Sequence, residues 1–272
     1  MPTDAERLAH ITPKIKRAKM HCAELERAIQ IFMTTKPYKV GFTHEAESRK
    51  LVYFVSSVEP PPESLPLIAG DAIQNLMGAL DHLAYQLVCR DTGGKPPKPS
   101  AVYFPIANDL SDYNANKARK LQGAAQRTIN AIDGLKPYKG GDDMLWTLHR
   151  LNNIDKHRLL LTVGSHAAGF NIAQYMAHTL GEGFSESARR ALSAMSFFVN
   201  PEDAGFPLKE GYKILIGRID EIPNLQQQFR FDVALSEPGV IESSSLLETL
   251  AKLIGAVESA IEKLTPLLGQ TR

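Results

Sequence analysis

Residues 65–90 read LPLIAGDAIQNLMGALDHLAYQLVCR, and the period of this stretch decides how the rest of the chain can fold. At about 100° per residue, Ala72, Ile73, Leu76, Met77, Leu80, Leu83, Ala84, Leu87 and Val88 fall on one wide apolar arc. The opposite arc carries Asp71, Gln74, Asn75, Gly78, Asp81, His82, Tyr85, Gln86 and Cys89. A helix face that meets only water usually carries Lys, Glu and Arg. This one has none before Arg90, so it is expected to meet other protein, a second copy of the chain or a ligand. Gly78 in the middle of that face weakens a helix by about 1 kcal/mol relative to Ala. It therefore predicts a close approach there by another backbone or by a ligand.

A second helix is expected from Leu145 onward, with Asp142 or Asp143 as its cap. Trp146, Leu148, Leu151, Ile154 and Leu159 supply its apolar positions. Arg150, Asn153 and His157 fall within about 60° of one another on it. An Arg, an amide and an imidazole on one face can hold a phosphate, orient it and move a proton. If the apolar arcs of the two helices share a core, their polar residues line a groove. That groove would offer Asp71, Asn75, Asp81, His82, Arg150, Asn153, Asp155 and His157.

Outward from these helices, residues 3–33 keep a helical rhythm with a break expected near Pro13. Residues 38–57 read as two strands around a polar turn, and Pro60, Pro61 and Pro62 end that unit. One or two helices are expected over 109–132, with Asn114 and Asn116 as breaks. A strand is expected over 168–177 and a short helix over 185–197. Residues 212–216 and 227–235 alternate like strands paired with each other, and an amphipathic helix closes the chain over 243–268. The fold class is α+β: a helical bundle of long amphipathic helices with inserted and C-terminal antiparallel β segments. The expected organisation is a single domain over 1–272. Its helical core covers about 3–33, 65–90, 143–162 and 243–268, and its β segments about 38–57 and 166–235.

With 31 basic and 30 acidic residues the net charge is +1, so no global field steers the chain to nucleic acid or membrane, although a local basic patch is allowed. Cys22 and Cys89 stand at no metal or redox spacing, which fits free thiols in a reducing compartment. No apolar run approaches the roughly 20 residues that span a bilayer. The first residues are charged and lack an apolar signal core. These features predict a cytoplasmic protein without membrane contact.

The segments LIAGDAIQNLMGALDHLAYQLV and LHRLNNIDKHRLLL resemble a set of uncharacterised bacterial proteins. Those proteins share an Asn-Leu-x-x-Ala-Leu-Asp-His helix, a Phe-Pro-Ile element and an Asn-Ile-Asp-Lys-His-Arg helix. Here these are Asn75 to His82, Phe104 to Ile106 and Asn153 to Arg158. The second helix is also similar to HEPN domains, helical bundles that are often metal-independent RNases, whose signature is an Arg followed a few residues on by a His. That resemblance implies that His157 acts on the ribose 2′-OH or on the leaving oxygen. It implies that Arg150, with Lys156 or Arg158, holds the scissile phosphate, and that Asn153 orients the His or the phosphate. Two copies in a homodimer would compose the site, RNA would be the partner, and no cofactor is expected. Arg150 and His157 stand at the long end of the signature's spacing. In the alternative register Asn153 and His157 match it, and Asn152 takes the place of the Arg.

Three other readings stay open. In the first, the chain is a structural or interaction protein in which His157 and Asn153 hydrogen-bond to Asp71, Asp81 or His82 inside the bundle. In the second, Asp71, His82, Asp155 and His157 form a mixed metal site, with Asp81 and His149 as further donors. The third is a nucleic-acid binder without chemistry. Its marker is a basic face formed by residues 14–19 with Lys117, Arg119, Lys120, Arg150, Lys156 and Arg158.

Overall fold

A computed structural model of the chain describes residues 4–45, 47, 50–157, 161–171, 185–188, 198–199, 205–218 and 229–269. The expected break near Pro13 divides the first helix into α1 (Asp4–Leu8) and α2 (Thr12–Thr34). Pro13 sits in the first turn of α2, where its missing N–H leaves no helical bond unmade. A hairpin of β1 (Tyr38–Glu45) and β2 (Lys50–Val58) follows, and then α3 (Ser64–Asp91). Next come α4 (Leu110–Lys120), α5 (Gln126–Leu135) and α6 (Asp143–His157). The remaining elements are β3 (Val163–Asn171), β4 (Phe198–Val199), β5 (Lys213–Arg218), β6 (Phe229–Glu237), β7 (Ile241–Ser245) and α7 (Leu246–Gly269). Helices with two antiparallel sheets make this an α+β fold.

The period of residues 65–90 is realised in α3. Leu65, Ile73, Leu76, Leu80, Leu83 and Leu87 lose all exposure. They share one core with Leu25, Ile29 and Phe32 of α2, Leu145, Leu148 and Leu151 of α6, and Leu250, Leu253 and Val257 of α7. Each such leucine contributes about 1.5–3 kcal/mol of apolar burial. Val233 and Leu235 extend the core onto β6.

Three expectations are corrected. Among the described residues, 212–216 and 229–235 do not pair with each other. β5 lies on β2, with Val52 opposite Ile216, in a sheet ordered β1-β2-β5. β6 lies between β3 and β7 in a sheet ordered β4-β3-β6-β7. Alternation marks a half-buried strand but does not select its neighbour. Here β5 joins β2 because Ile214 and Val55 close a small apolar cluster with Ala167 and Leu208. The break within 109–132 falls at 121–125 rather than at Asn114 or Asn116. Asn116 stays helical because its amide donates to the Asp112 carboxylate at 2.6 Å, while Gly123 takes a φ of +95°. Residues 243–245 end β7, so the last helix starts at Leu246 rather than at 243. Residues 3, 46, 48–49, 158–160, 172–177, 189–197 and 227–228 of the expected elements lie outside the described residues. No described helix is long and apolar enough to cross a membrane.

The C-terminal end of α3 is fastened by a buried polar network. Arg90 Nη2 meets Asp91 Oδ1 at 2.5 Å, and their side chains are 7% and 1% exposed. Arg90 also donates to the Leu267 carbonyl of α7 and, at 3.1 Å, to Thr128 of α5. Asp91 Oδ2 accepts from the Thr128 hydroxyl at 2.6 Å and from the Ala125 N–H at 2.8 Å. One carboxylate thus caps α5 and balances a buried guanidinium that holds α7. Removing it would leave a buried charge and an orphaned N–H. Asp91→Ala is expected to lower unfolding free energy by about 3–5 kcal/mol in urea titration.

A candidate site where three segments meet

The fold brings together Asp81 of α3, the Phe104–Pro105–Ile106 segment and the second half of α6. Asp81 Oδ1 accepts from the Phe104 N–H at 2.9 Å. Lys120 at the end of α4 donates to the Ile106 carbonyl at 2.9 Å. Burial pushes the Asp81 carboxyl up, while the Phe104 N–H and the nearby Lys156 and Lys120 pull against that rise. Burial likewise pushes the Lys120 ammonium down.

His149 lies half-buried on α6, within electrostatic reach of Lys120, Arg150, Lys156 and Asp112. Asn153, one turn later, places its Nδ2 at 3.1 Å from His149 Nε2. An amide nitrogen can only donate, so Nε2 accepts and the ring proton belongs on Nδ1. Nδ1 is buried and has no hydrogen-bond partner. Burial, and then Lys120, Arg150 and Lys156, push the imidazole down to about 4, with Asp112 as the opposing charge. Asp112 itself is engaged by the Asn108 N–H at 3.0 Å and by Asn116, and it stays ionised below the usual carboxylate range.

The other expected site residues are distributed around this centre. Asp155 accepts from Gln74 of α3 at 2.6 Å and lies against Gly70, where a Cβ would stand 2.4 Å from Asp155 Oδ1. The glycine demanded by close approach is therefore Gly70 rather than Gly78. A Cβ at Gly78 would meet only the Lys14 side chain, at 3.7 Å. Asp71 is exposed, and Asn75 donates to the Asp71 carbonyl within the helix at 2.8 Å. His82 borders a recess of about 460 Å³ with His10, Asp81, Tyr85 and Gln86. Burial, Lys14 and His10 lower its pKa. Arg150 and Asn153 are half-buried, and Lys156 and His157 are exposed. Arg158 lies outside the described residues.

The expected internal network through His157 and Asn153 is therefore corrected. Asn153 bonds to His149 on its own helix, and His157 stands exposed at the helix end. The expected basic face divides as well. Lys19 pairs with Glu258 at 2.6 Å and Lys117 with Asp133 at 2.8 Å, while Lys14 lies against Gly78. Lys120, Arg150 and Lys156 each disfavour the charged form of His149. Among the described residues no three His, Cys, Asp or Glu side chains gather as a metal site would need. No family model, no curated protein and no solved structure matches this chain.

Two outcomes follow from this geometry. Gly78→Ala is expected to raise unfolding free energy by up to about 1 kcal/mol. Gly70→Ala is expected to gain less than Gly78→Ala, because its Cβ makes the Asp155 carboxylate shift from its place beside Gln74; paired thermal melts read both. For His149, protonation favours the unfolded chain, whose imidazole titrates near 6.5 against about 4 in the fold. Its contribution is therefore complete above about pH 6.5 and is lost as pH falls toward 4, a change of about 3 kcal/mol. His149→Gln is expected to remove that part of the slope in a stability–pH series by urea titration.

Proposed function

We propose that the α6 surface binds the RNA backbone and cleaves it without a metal, in a homodimeric cytoplasmic protein. The observation that carries this reading is the arrangement along α6. His157 is exposed at the helix end, and Arg150 stands two turns earlier on the same side, with no hydrogen bond or close ion pair among the described residues. The similarity of this helix to HEPN domains supports it. Arg150 would clamp two oxygens of the scissile phosphate, with Lys156 and Arg158 alongside. The ribose 2′-oxygen attacks phosphorus and the 5′-oxygen departs, leaving a 2′,3′-cyclic phosphate and a 5′-hydroxyl. His157 takes the 2′-OH proton or delivers a proton to the departing oxygen, and a second copy of the chain supplies the other imidazole.

Asn153 is engaged with His149, so it does not orient His157. That observation favours a second reading, RNA binding without cleavage, in which the cations act alone. Incubation with labelled single-stranded RNA in EDTA separates the two. Under the cleavage reading, wild type yields cyclic-phosphate ends and His157→Ala is slower by about 100-fold or more with RNA affinity retained. RNA bound but uncut by wild type would establish the binding reading instead. Failure of both binding and cleavage would refute the function proposed for this surface.

A further inference from the structure

Arg7 of α1 is a buried cation without a counter-charge. It is 4% exposed, and its Nη1 donates to the Gln86 side-chain oxygen at 3.2 Å and to the Gln86 carbonyl at 3.4 Å. Its Nε is buried without a partner, and no carboxylate pairs with it among the described residues. A guanidinium withdrawn from water is unfavourable unless an opposite charge comes close. Because a guanidinium only donates, the Gln86 amide turns its oxygen to Arg7 and its NH₂ away from it. That NH₂ has no acceptor among the described residues. Gln86 is at the same time a wall of the recess of about 460 Å³ that it shares with His10, Asp81, His82 and Tyr85. Lys14 lies against Gly78, one turn before His82 on α3. Burial, then Lys14 and His10, disfavour the charged form of His82. Asp81 is the one acid on the wall, its Oδ1 is taken by the Phe104 N–H, and it stands about 7 Å from Gln86 along the helix axis. The Gln86 end of the recess therefore offers donors and positive charge without an anion to meet them.

We infer that this recess binds one small organic acid, with its carboxylate or phosphate head at the Gln86 amide and its body along the Tyr85 ring. The head accepts from the Gln86 NH₂ and from an imidazole N–H of His10 or His82. Arg7 does not touch the ligand. It is a positioning residue that orients Gln86 and lends the head its charge through that amide. The volume lies within the roughly 300–1,000 Å³ of small-molecule sites and exceeds what a bare inorganic ion needs. The site stands whether or not the chain cleaves RNA, since it uses neither the α6 surface nor a second copy.

Benzoate and phenyl phosphate are the probes, with benzylamine as a cation of similar body. Calorimetry on the full chain is expected to show one saturable site for at least one of the two acids and none for benzylamine. Benzoate bound without phenyl phosphate identifies a carboxylate head, and the reverse identifies a phosphate ester. Gln86→Leu is expected to weaken acid binding about tenfold or more. Arg7→Met is expected to do the same while its melting temperature holds or rises, because it removes a buried charge that has no partner. A residue that merely braces the fold would instead lose stability on that substitution. Should Gln86→Leu fail to fold, Arg7→Met and the benzylamine control carry the decision. No saturable site for either acid, benzylamine bound as tightly as the acids, or unchanged acid affinity in Arg7→Met would each overturn the inference. A lower melting temperature in Arg7→Met would overturn it too, by assigning Arg7 to the fold. An inert RNase assay alongside intact acid binding would reject cleavage and leave this site standing.

Discussion

Every other part of this fold is placed by the packing of α3 against α2, α6 and α7. A helix whose apolar arc is shared by three neighbours leaves its polar arc along the seams, half-buried at Asn75, Gly78, Asp81, Tyr85 and Gln86 and exposed at Asp71, Gln74 and His82. Buried polar groups must find partners there, and each seam finds a different one. Toward the end of α6, Gly70 has no Cβ to crowd Asp155, which reaches Gln74. At mid-helix, Asp81 takes the Phe104 N–H and fixes the extended segment. On the α2 side, Gly78 and His82 face Lys14. At its last turn Arg90 and Asp91 tie in α5 and α7. The position of α6 follows from Leu145, Leu148 and Leu151 in the shared core, with the Asp155–Gln74 bond joining its second half to α3.

The electrostatics around His149 follow from which charges are already satisfied. Asp112 is held by amides on its own helix and the loop before it, so its charge is spread among near donors. Asp81 is drawn toward a backbone N–H and is partly desolvated. Lys120 donates to the Ile106 carbonyl and has Asp112 and Asp81 as opposing charges, whereas Arg150 and Lys156 make no hydrogen bond or close ion pair among the described residues. His149 survives among them by staying neutral, with Asn153 fixing the tautomer. Lys156 lies in the last turn of α6, where the helix dipole favours positive charge and offsets some of the mutual repulsion. The helix thus tolerates a concentration of donors that would be unfavourable in its first turn.

Much of this was legible in the sequence. The two arcs of residues 65–90 foretold a central helix with a polar face meeting protein, because burial on a 3.6-residue period leaves an unambiguous trace. Asp81, Arg150, Asn153 and Lys156 were visible as polar residues on core helices. The centrality of His149 was not, since Asn153 and His157 drew attention to a neighbouring line on the helix. Its signal was present: His149, Asn153 and Lys156 stand at i, i+4 and i+7, which puts them on one face. Lys120 could not be placed beside them, because its position depends on where the α4–α5 turn falls, and Gly123 rather than an Asn sets that turn. The Arg90–Asp91 network was equally hidden, as two adjacent charges at a helix end look solvated until two other helices close over them. Strand partners escaped for a simpler reason: alternation reports that one face is covered and says nothing about the edge.

The sheet order has a bearing on how the chain reaches this structure. The sheet begun by β1 and β2 is completed by β5, where Val52 meets a residue about 160 positions further along the chain. During synthesis the hairpin leaves the ribosome early, with the free edge of β2 open until β5 arrives. α2, α3 and α6 can dock in the meantime from contacts nearer in sequence. Completion of the first sheet is thus a late, loop-closing event, and the order of emergence makes this chain's own distant strand compete with any foreign strand for the same edge.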